Sequence, residues 1–293
     1  MRILSIVTLV SPHGEYGGPA RVALNQAREL IRQGHHVVLA GGARGYDGRL
    51  PDDIEGVPVA LYPVHTLVPG TGFAGLWSPG LYRALSHLAR DVDVMHIHLA
   101  RDLVTLPAAD WARRHSVPYV VQTHGMIDAS NNPLAAPLDA AMTRRVLRGA
   151  RRVFYLTERE RRDLLGVAGP DLALQELANG VPLPQAPGAP RDEAPEVLYL
   201  ARLARRKRPT EFVRMAELVS ARFPAASFRL VGPDEGEADA VERLIHGARA
   251  DVLWEGPIAA EAVIARMSRS SVYVLPAVDE PYPMSVLEAM SLG

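Results

Sequence analysis

"ILSIVTL" (Ile3–Leu9), "PARVALNQARELIRQ" (Pro19–Gln33) and "HHVVLA" (His35–Ala40) follow one another at the start of the chain, and their reading decides the fold. The first and third are short apolar runs rich in β-branched residues, which suit strands buried on both faces. The second carries Ala20, Leu24, Ala27 and Leu30/Ile31 at helical spacing, with Gly18 and Pro19 suited to the N-cap and first-turn positions and Gly34 to a C-terminal stop. Strand, helix, strand at this spacing predicts a parallel sheet with crossover helices. The class is α/β. The pattern continues with strands expected at "VPVALY", "DVMHIHL", "VPYVVQT" and "RVFYLT", and helices over Gly80–Arg90, Asp102–His115 and Ala136–Gly149.

The segment 182–196, "PLPQAPGAPRDEAPE", holds five prolines and no hydrophobic period, and it reads as a linker. It divides the chain into a domain over 1–181 and a domain over 197–293. Beyond it the alternation restarts at "VLYLARL", "SFRLVG", "DVLWEGP" and "VYVLPA", with helices over Pro209–Arg222, Asp239–Ala248, Ala259–Ser268 and Met284–Leu292. In such doubly wound sheets ligands bind at the carboxyl ends of the strands.

Composition narrows the classes of function. Of 293 residues nearly half are apolar, and the formal net charge is −1, which does not support the broad basic surface that nucleic acid demands. Cysteine is absent, excluding disulfides, thiolate metal sites and cysteine nucleophiles. "MRILSIVTLV" has one basic residue before its apolar run and no small-residue cleavage site after it, so it reads as a buried strand rather than a signal peptide. No apolar run approaches the roughly 18 residues of a membrane span. The expected location is the cytoplasm, with peripheral contact at the inner membrane face left open.

Several residues fall just after expected strands. Gly17 and Gly18, in "SPHGEYGGPARVAL", either allow close approach of backbone to an anionic ligand or simply make a tight turn. The spacing is not that of a dinucleotide fingerprint. His124, in "VVQTHGMIDAS", is placed to donate a hydrogen bond to a substrate hydroxyl or leaving group, or to serve as a structural histidine. His96 and His98 share a strand face, and without a carboxylate or third histidine at a telling spacing they read as packing rather than as a metal pair. Arg202 leaves a strand and Arg205, Arg206, Lys207 and Arg208 follow it, a set that can clamp a diphosphate or form a solvated run. The basic run Arg144, Arg145, Arg148, Arg151 and Arg152 reads as a solvated helix face, with a membrane-surface role as the alternative. In "DEPYPMSVLEAMSLG", the loop acid Glu280, a helix start and then Glu288 offer hydroxyl acceptors beside an anion-binding helix end.

This ordered series resembles the family-4 retaining glycosyltransferases of the GT-B fold. The resemblance spans the chain: the glycine loop, "GHHVVLA", "DVMHIH", "THG", "NGV" at Asn179–Val181, "ARLARRKRP", "WEGP" and "EPYPMSVLEAM", which matches the family's glutamate, seven residues, glutamate signature. It implies two Rossmann-like domains and transfer of a sugar from a UDP- or GDP-linked donor with retention, without a metal or other cofactor. By matching position it implies that Arg202 and Lys207 hold the donor diphosphate, that Glu280 contacts the donor sugar, and that Glu288 binds the ribose. It further implies that His124 lies by the reacting sugar, that Gly17 and Gly18 close against the donor, that backbone at Met284 and Ser285 approaches sugar and phosphates, and that backbone near Ile258 meets the base. The implied partners are the nucleotide sugar and a carbohydrate, lipid-linked or small-molecule acceptor. Polysaccharide or glycolipid synthesis is the implied setting.

The chain departs from the family pattern at Ala201, where glycine is common, and at Tyr282–Met284, where the family carries Phe-Gly. Met284 sets a side chain where backbone faces the sugar, which bears on the identity of that sugar. Family members continue beyond the position of Gly293, so the second domain is expected to be incomplete and the chain truncated. A non-catalytic nucleotide-sugar-binding or scaffold protein is the alternative, and an epimerase or phosphorylase on the same plan is the third reading.

Overall fold

The computed structural model describes residues 1–12, 18–130, 132–183, 194–259, 262–280 and 282–293. Gly17 and the linker core at 184–193 lie outside the described residues. The chain forms two compact units, Met1–Gly180 and Val181–Gly293.

In the first unit the elements run β1 (Arg2–Val10), α1 (Gly18–Arg32), β2 (His36–Ala43), β3 (Asp53–Ile54), β4 (Val57–Pro63), a small hairpin β5 (His65–Thr66) and β6 (Leu76–Trp77), and α2 (Pro79–Leu88). They continue with β7 (Val94–His98), α3 (Thr105–Arg114), β8 (Tyr119–Gln122), α4 (Ala135–Leu138), a π turn at Asp139–Thr143, α5 (Arg144–Gly149), β9 (Val153–Tyr155), α6 (Glu158–Ala168) and β10 (Leu174–Glu176). The sheet order is β10-β9-β8-β7-β1-β2-β4-β3, parallel except for the β3–β4 pair. Strand order reverses between β1 and β7, which makes that crevice the topological switch point.

The burial of β1 shows why this sequence forms this sheet. Leu4 and Ile6 face one layer, with Met95, Ile97, Leu106, Val121 and Leu164, while Ile3 and Val7 face the other, with Ala23, Leu39 and Val59. Alternate residues of a strand point to opposite faces, so a strand covered on both sides must be apolar throughout. Each such fully buried side chain stabilises the fold by about 1.5–3 kcal/mol.

The second unit contains β11 (Glu196–Leu200), α7 (Pro209–Ser220), β12 (Ser227–Val231), α8 (Ala238–Gly247), β13 (Asp251–Trp254), α9 (Val263–Met267), β14 (Val272–Tyr273) and α10 (Met284–Ser291). Its parallel sheet has the order β13-β12-β11-β14, with the switch point between β11 and β14. Both units are Rossmann-like, and the α/β class expected from the periodicity is the one observed.

Two boundaries differ from the sequence expectation for identifiable reasons. The helix expected from Asp102 begins at Thr105, because the Asp102 carboxylate accepts from the amides of Val104, the N-cap, at 2.7 Å and Thr105 at 2.6 Å and so stays in the turn before the helix. The strand expected over 152–157 stops at Tyr155, because Thr157 is the N-cap of α6 and its side chain accepts from the Glu160 amide. That helix went unforeseen although Thr157 and Glu160 have the spacing of a capping box. The helix expected over Ala259–Ser268 is described only from Val263 to Met267.

Candidate functional site

The second unit gathers its charged groups at its switch point. β11 delivers Arg202 just past its end, and a tight turn at Arg205–Lys207 brings Arg206 and Lys207 back beside it. The turn closes at Arg208, whose left-handed φ of 53° lets Pro209 open α7. β14 leads to Asp279, also left-handed at φ 51°, and then to Glu280. The Val278 amide donates to the Arg206 carbonyl at 2.9 Å, which fastens the two loops together. Glu280 consequently accepts from both Lys207 Nζ and Arg206, each at 2.5 Å.

This cluster holds more positive than negative charge close by. Burial pushes the Lys207 ammonium below its ordinary value, and the pull of Glu280 in the other direction is opposed by Arg206 and Arg202. An additional anion brought to this place would favour the charged ammonium and use guanidinium forks already in position. Arg202 pairs with Glu235. The pair is substantially exposed, so an anion can displace it at small cost.

α10 starts beside these groups. Met284 and Ser285 hold its first two amides, which precede the helical ladder. The Tyr273 hydroxyl donates to the Leu200 carbonyl at 3.0 Å and lies 2.8 Å from Ser285 Oγ, tying the helix start to the strand ends. Burial pushes the Tyr273 hydroxyl up, with the charges of Glu288 and Glu280 adding to it, so it stays protonated. Those charges place both acids near one hydroxyl. Ile258, half-buried, packs with Leu198, Val231 and Met267 after β13.

Gly232, which the sequence reading did not single out, makes this arrangement possible. It follows β12 with φ +146°, and a Cβ there would stand 2.1 Å from the Ala201 carbonyl oxygen and 3.2 Å from the Arg202 amide nitrogen. The loops after β11 and β12 continue paired through Leu203 and Asp234, and the Trp254 indole donates to the Gly232 carbonyl at 3.0 Å. Only a glycine lets those backbones meet.

The first unit also sets its candidates at its strand ends. His124 follows β8 with a left-handed φ of 52°, and Gly125 follows with φ 71°. The buried Glu160 carboxylate holds this turn, accepting from Thr123 Oγ1 and the Gly125 amide at 2.5 Å each and from the Leu156 amide at 2.6 Å. His98 Nδ1 lies 2.8 Å from His124 Nε2, and His96 stacks on His98 at 4.5 Å. The third histidine that spacing alone did not reveal is therefore His124, brought in from the neighbouring strand. Burial pushes His96 down to about 4 and His124 to about 3, and it holds His98 well below the ordinary histidine range. Among the described residues no group of three or more potential ligands is set to hold a metal ion.

Gly18 opens α1, and a Cβ there would meet nothing within 4 Å, so crowding inside the fold does not explain the glycine. The basic run around α5 is exposed, with Arg144 and Arg148 donating to the carbonyls of Val167 and Ala168 at the end of α6. Asn179 of "NGV" accepts from Gln122, whose carbonyl accepts from Gln26.

A family model for the glycosyl transferase 4-like domain matches residues 17–180, more than half of the chain. The chain belongs to that glycosyltransferase family. A second model, glycosyl transferases group 1, matches residues 185–293. No curated protein matches the chain in sequence. Among solved structures it is similar to Anabaena HepE in complex with UDP and glucose, at 16% identity and a TM-score of 0.69, covering 99% of this chain and 78% of that one. It is also similar to a variant of S. aureus TarM in complex with fondaparinux, α-GlcNAc-glycerol and UDP, at 12% identity and a TM-score of 0.73, covering 99% of this chain and 84% of that one. The lipopolysaccharide outer core galactosyltransferase WaaB in its apo form is a third, at 15% identity and a TM-score of 0.62, covering 100% and 78%. These likenesses show a shared GT-B fold. No helix among the described residues is long and apolar enough to cross a membrane.

Proposed function

We propose that this glycosyltransferase moves a sugar from a UDP- or GDP-linked donor to a carbohydrate, lipid-linked or small-molecule acceptor with retention of configuration, in the manner of family 4. The observation that carries the reading is the convergence of Arg202, Arg206, Lys207 and Glu280 at the switch point of the second unit, with an undercompensated ammonium among them. In this reading Arg202 and Lys207 bind the diphosphate, with the amides of Met284 and Ser285 beside it. Glu280 accepts from the sugar hydroxyls, Glu288 from the ribose, and backbone near Ile258 meets the base. His124 stands by the reacting sugar, and Gly17 and Gly18 close against the donor.

The bond from the anomeric carbon to the diphosphate oxygen breaks, and the acceptor oxygen bonds to that carbon from the same face. The acceptor proton passes to a phosphate oxygen. Charge grows on the leaving diphosphate, where Arg202 and Lys207 stabilise it, so the clamp works without a metal or other cofactor. The setting proposed is the cytoplasm, with peripheral contact at the membrane when the acceptor is lipid-linked.

A second reading, nucleotide-sugar binding without turnover, draws on Met284, which by the family resemblance sets a side chain where backbone would face the sugar. Incubating the chain with UDP- and GDP-sugars and an acceptor panel separates the two. The first reading expects acceptor-dependent release of nucleoside diphosphate and a product with the anomeric configuration of the donor. Binding without release, or an inverted product, contradicts it.

A further inference from the structure

Two neutral imidazoles 2.8 Å apart must share one proton, and its position decides what His124 shows to a substrate. The His98 and His124 rings are within 10° of coplanar with centroids 5.0 Å apart, the separation that an in-plane N–H···N contact gives. His98 is 1% exposed, and its Nε2 is buried with no hydrogen-bond partner. A buried N–H without an acceptor is rarer in proteins than an unused lone pair. The Nδ1–H form of His98 leaves a bare lone pair at Nε2, whereas the Nε2–H form strands a donor there. The first form is the better tolerated, and in it Nδ1 donates to His124 Nε2.

We infer that His98 is a positioning residue that fixes His124 as its Nδ1–H tautomer, so that His124 offers a hydrogen-bond donor, never a bare lone pair, to an oxygen of the sugar substrate. His124 Nδ1 has no partner among the described residues, and the ring is only half-buried, so the donor is available. The column above His98 keeps the geometry. His96 stacks on it, and Phe154 meets His96 edge-on at 5.9 Å, which prevents the His98 ring from flipping and keeps water from Nε2. Glu160 holds the Thr123 hydroxyl and the Gly125 amide on either side of His124 while His98 fixes its ring. The service to a sugar oxygen rests on the proposed glycosyl transfer, and the tautomer itself does not.

The test uses the intact chain labelled with ¹⁵N-histidine, with His124→Asn to assign the resonances. The expected spectrum shows His124 with a protonated Nδ1 and an unprotonated Nε2 in the wild type. His98→Asn keeps an N–H near the Nδ1 position and His98→Leu removes it. The Leu variant is expected to lose the His124 signature and to lower kcat on the order of tenfold or more, with donor KM little changed, while the Asn variant restores most of both. A wild-type His124 protonated at Nε2 overturns the inference. Equal losses in the Asn and Leu variants with an unchanged His124 spectrum do so as well, since the loss is then one of packing. If the Leu variant does not fold, the wild-type and Asn spectra still decide. A chain that transfers no sugar defeats the reading of function and leaves the spectrum to decide the tautomer.

Discussion

Glu160 is the single side chain on which the His124 turn depends most. It is 2% exposed and satisfies three donors from three different residues, Thr123, Gly125 and Leu156. A buried donor left without its partner costs about 1–3 kcal/mol. Glu160→Gln keeps the shape but turns an NH₂ toward groups that themselves donate, so urea unfolding should show a loss of about 2 kcal/mol or more. A change below about 0.5 kcal/mol would mean that the carboxylate does not hold the turn. Legibility at this scale depended on whether the partner is near in sequence. His124, Arg202, Lys207 and Glu280 could be picked out because each lies in the loop that follows an apolar run, and sheet ends are where ligands bind. His98 was read as packing because its partner is 26 residues away on another strand. Glu160 left only the T-x-x-E trace of a capping box, which says how a helix starts and nothing of the turn it steadies.

Elements place these residues through close backbone approach. β11 and β12 run together past their ends only because Gly232 has no side chain, and that junction aims Arg202. Gly232→Ala should destabilise the second unit by about 3 kcal/mol, from overpacking and an unsuitable φ together, and should weaken nucleotide binding through Arg202. Thermal unfolding and titration of the same sample check both, and a variant as stable as the wild type would remove the junction from this account. Gly18→Ala is the contrasting case. Open space surrounds that position, so stability should change by less than about 1 kcal/mol, whereas donor use should fall if backbone meets the ligand there. Strands and helices were legible because β1 and β11 are covered on both faces and therefore largely apolar. The hairpin β5–β6 and the short strands β3 and β10 were not, because two or three residues carry no period.

At the scale of the whole molecule the desolvated, partly buried histidines His96 and His124 tie the stability of the first unit to pH. Their folded pKa values lie below the ordinary histidine value, to about 4 for His96 and about 3 for His124. Above about pH 6.5 these side chains are neutral whether folded or unfolded, and pH has no leverage through them. As pH falls toward 4 the unfolded chain takes up protons that the folded chain refuses, so stability must fall. The melting temperature of the first unit should therefore drop between pH 6.5 and 4. His96→Gln and His124→Asn should each flatten that drop, and an equally steep profile in both would show that other groups cause it. The charges of the second unit bear on the central claim, that its switch point is a nucleoside diphosphate site. Titration calorimetry with UDP and with GDP, on the intact chain and on Arg202→Ala/Lys207→Ala, tests it most directly. The account predicts that the wild type binds one of the two nucleotides and that the double variant binds it at least about a hundredfold more weakly, since two charge-assisted bonds of about 1.5–3 kcal/mol each are lost. Binding of neither nucleotide by a folded wild type, or equal affinity in the double variant, would contradict it.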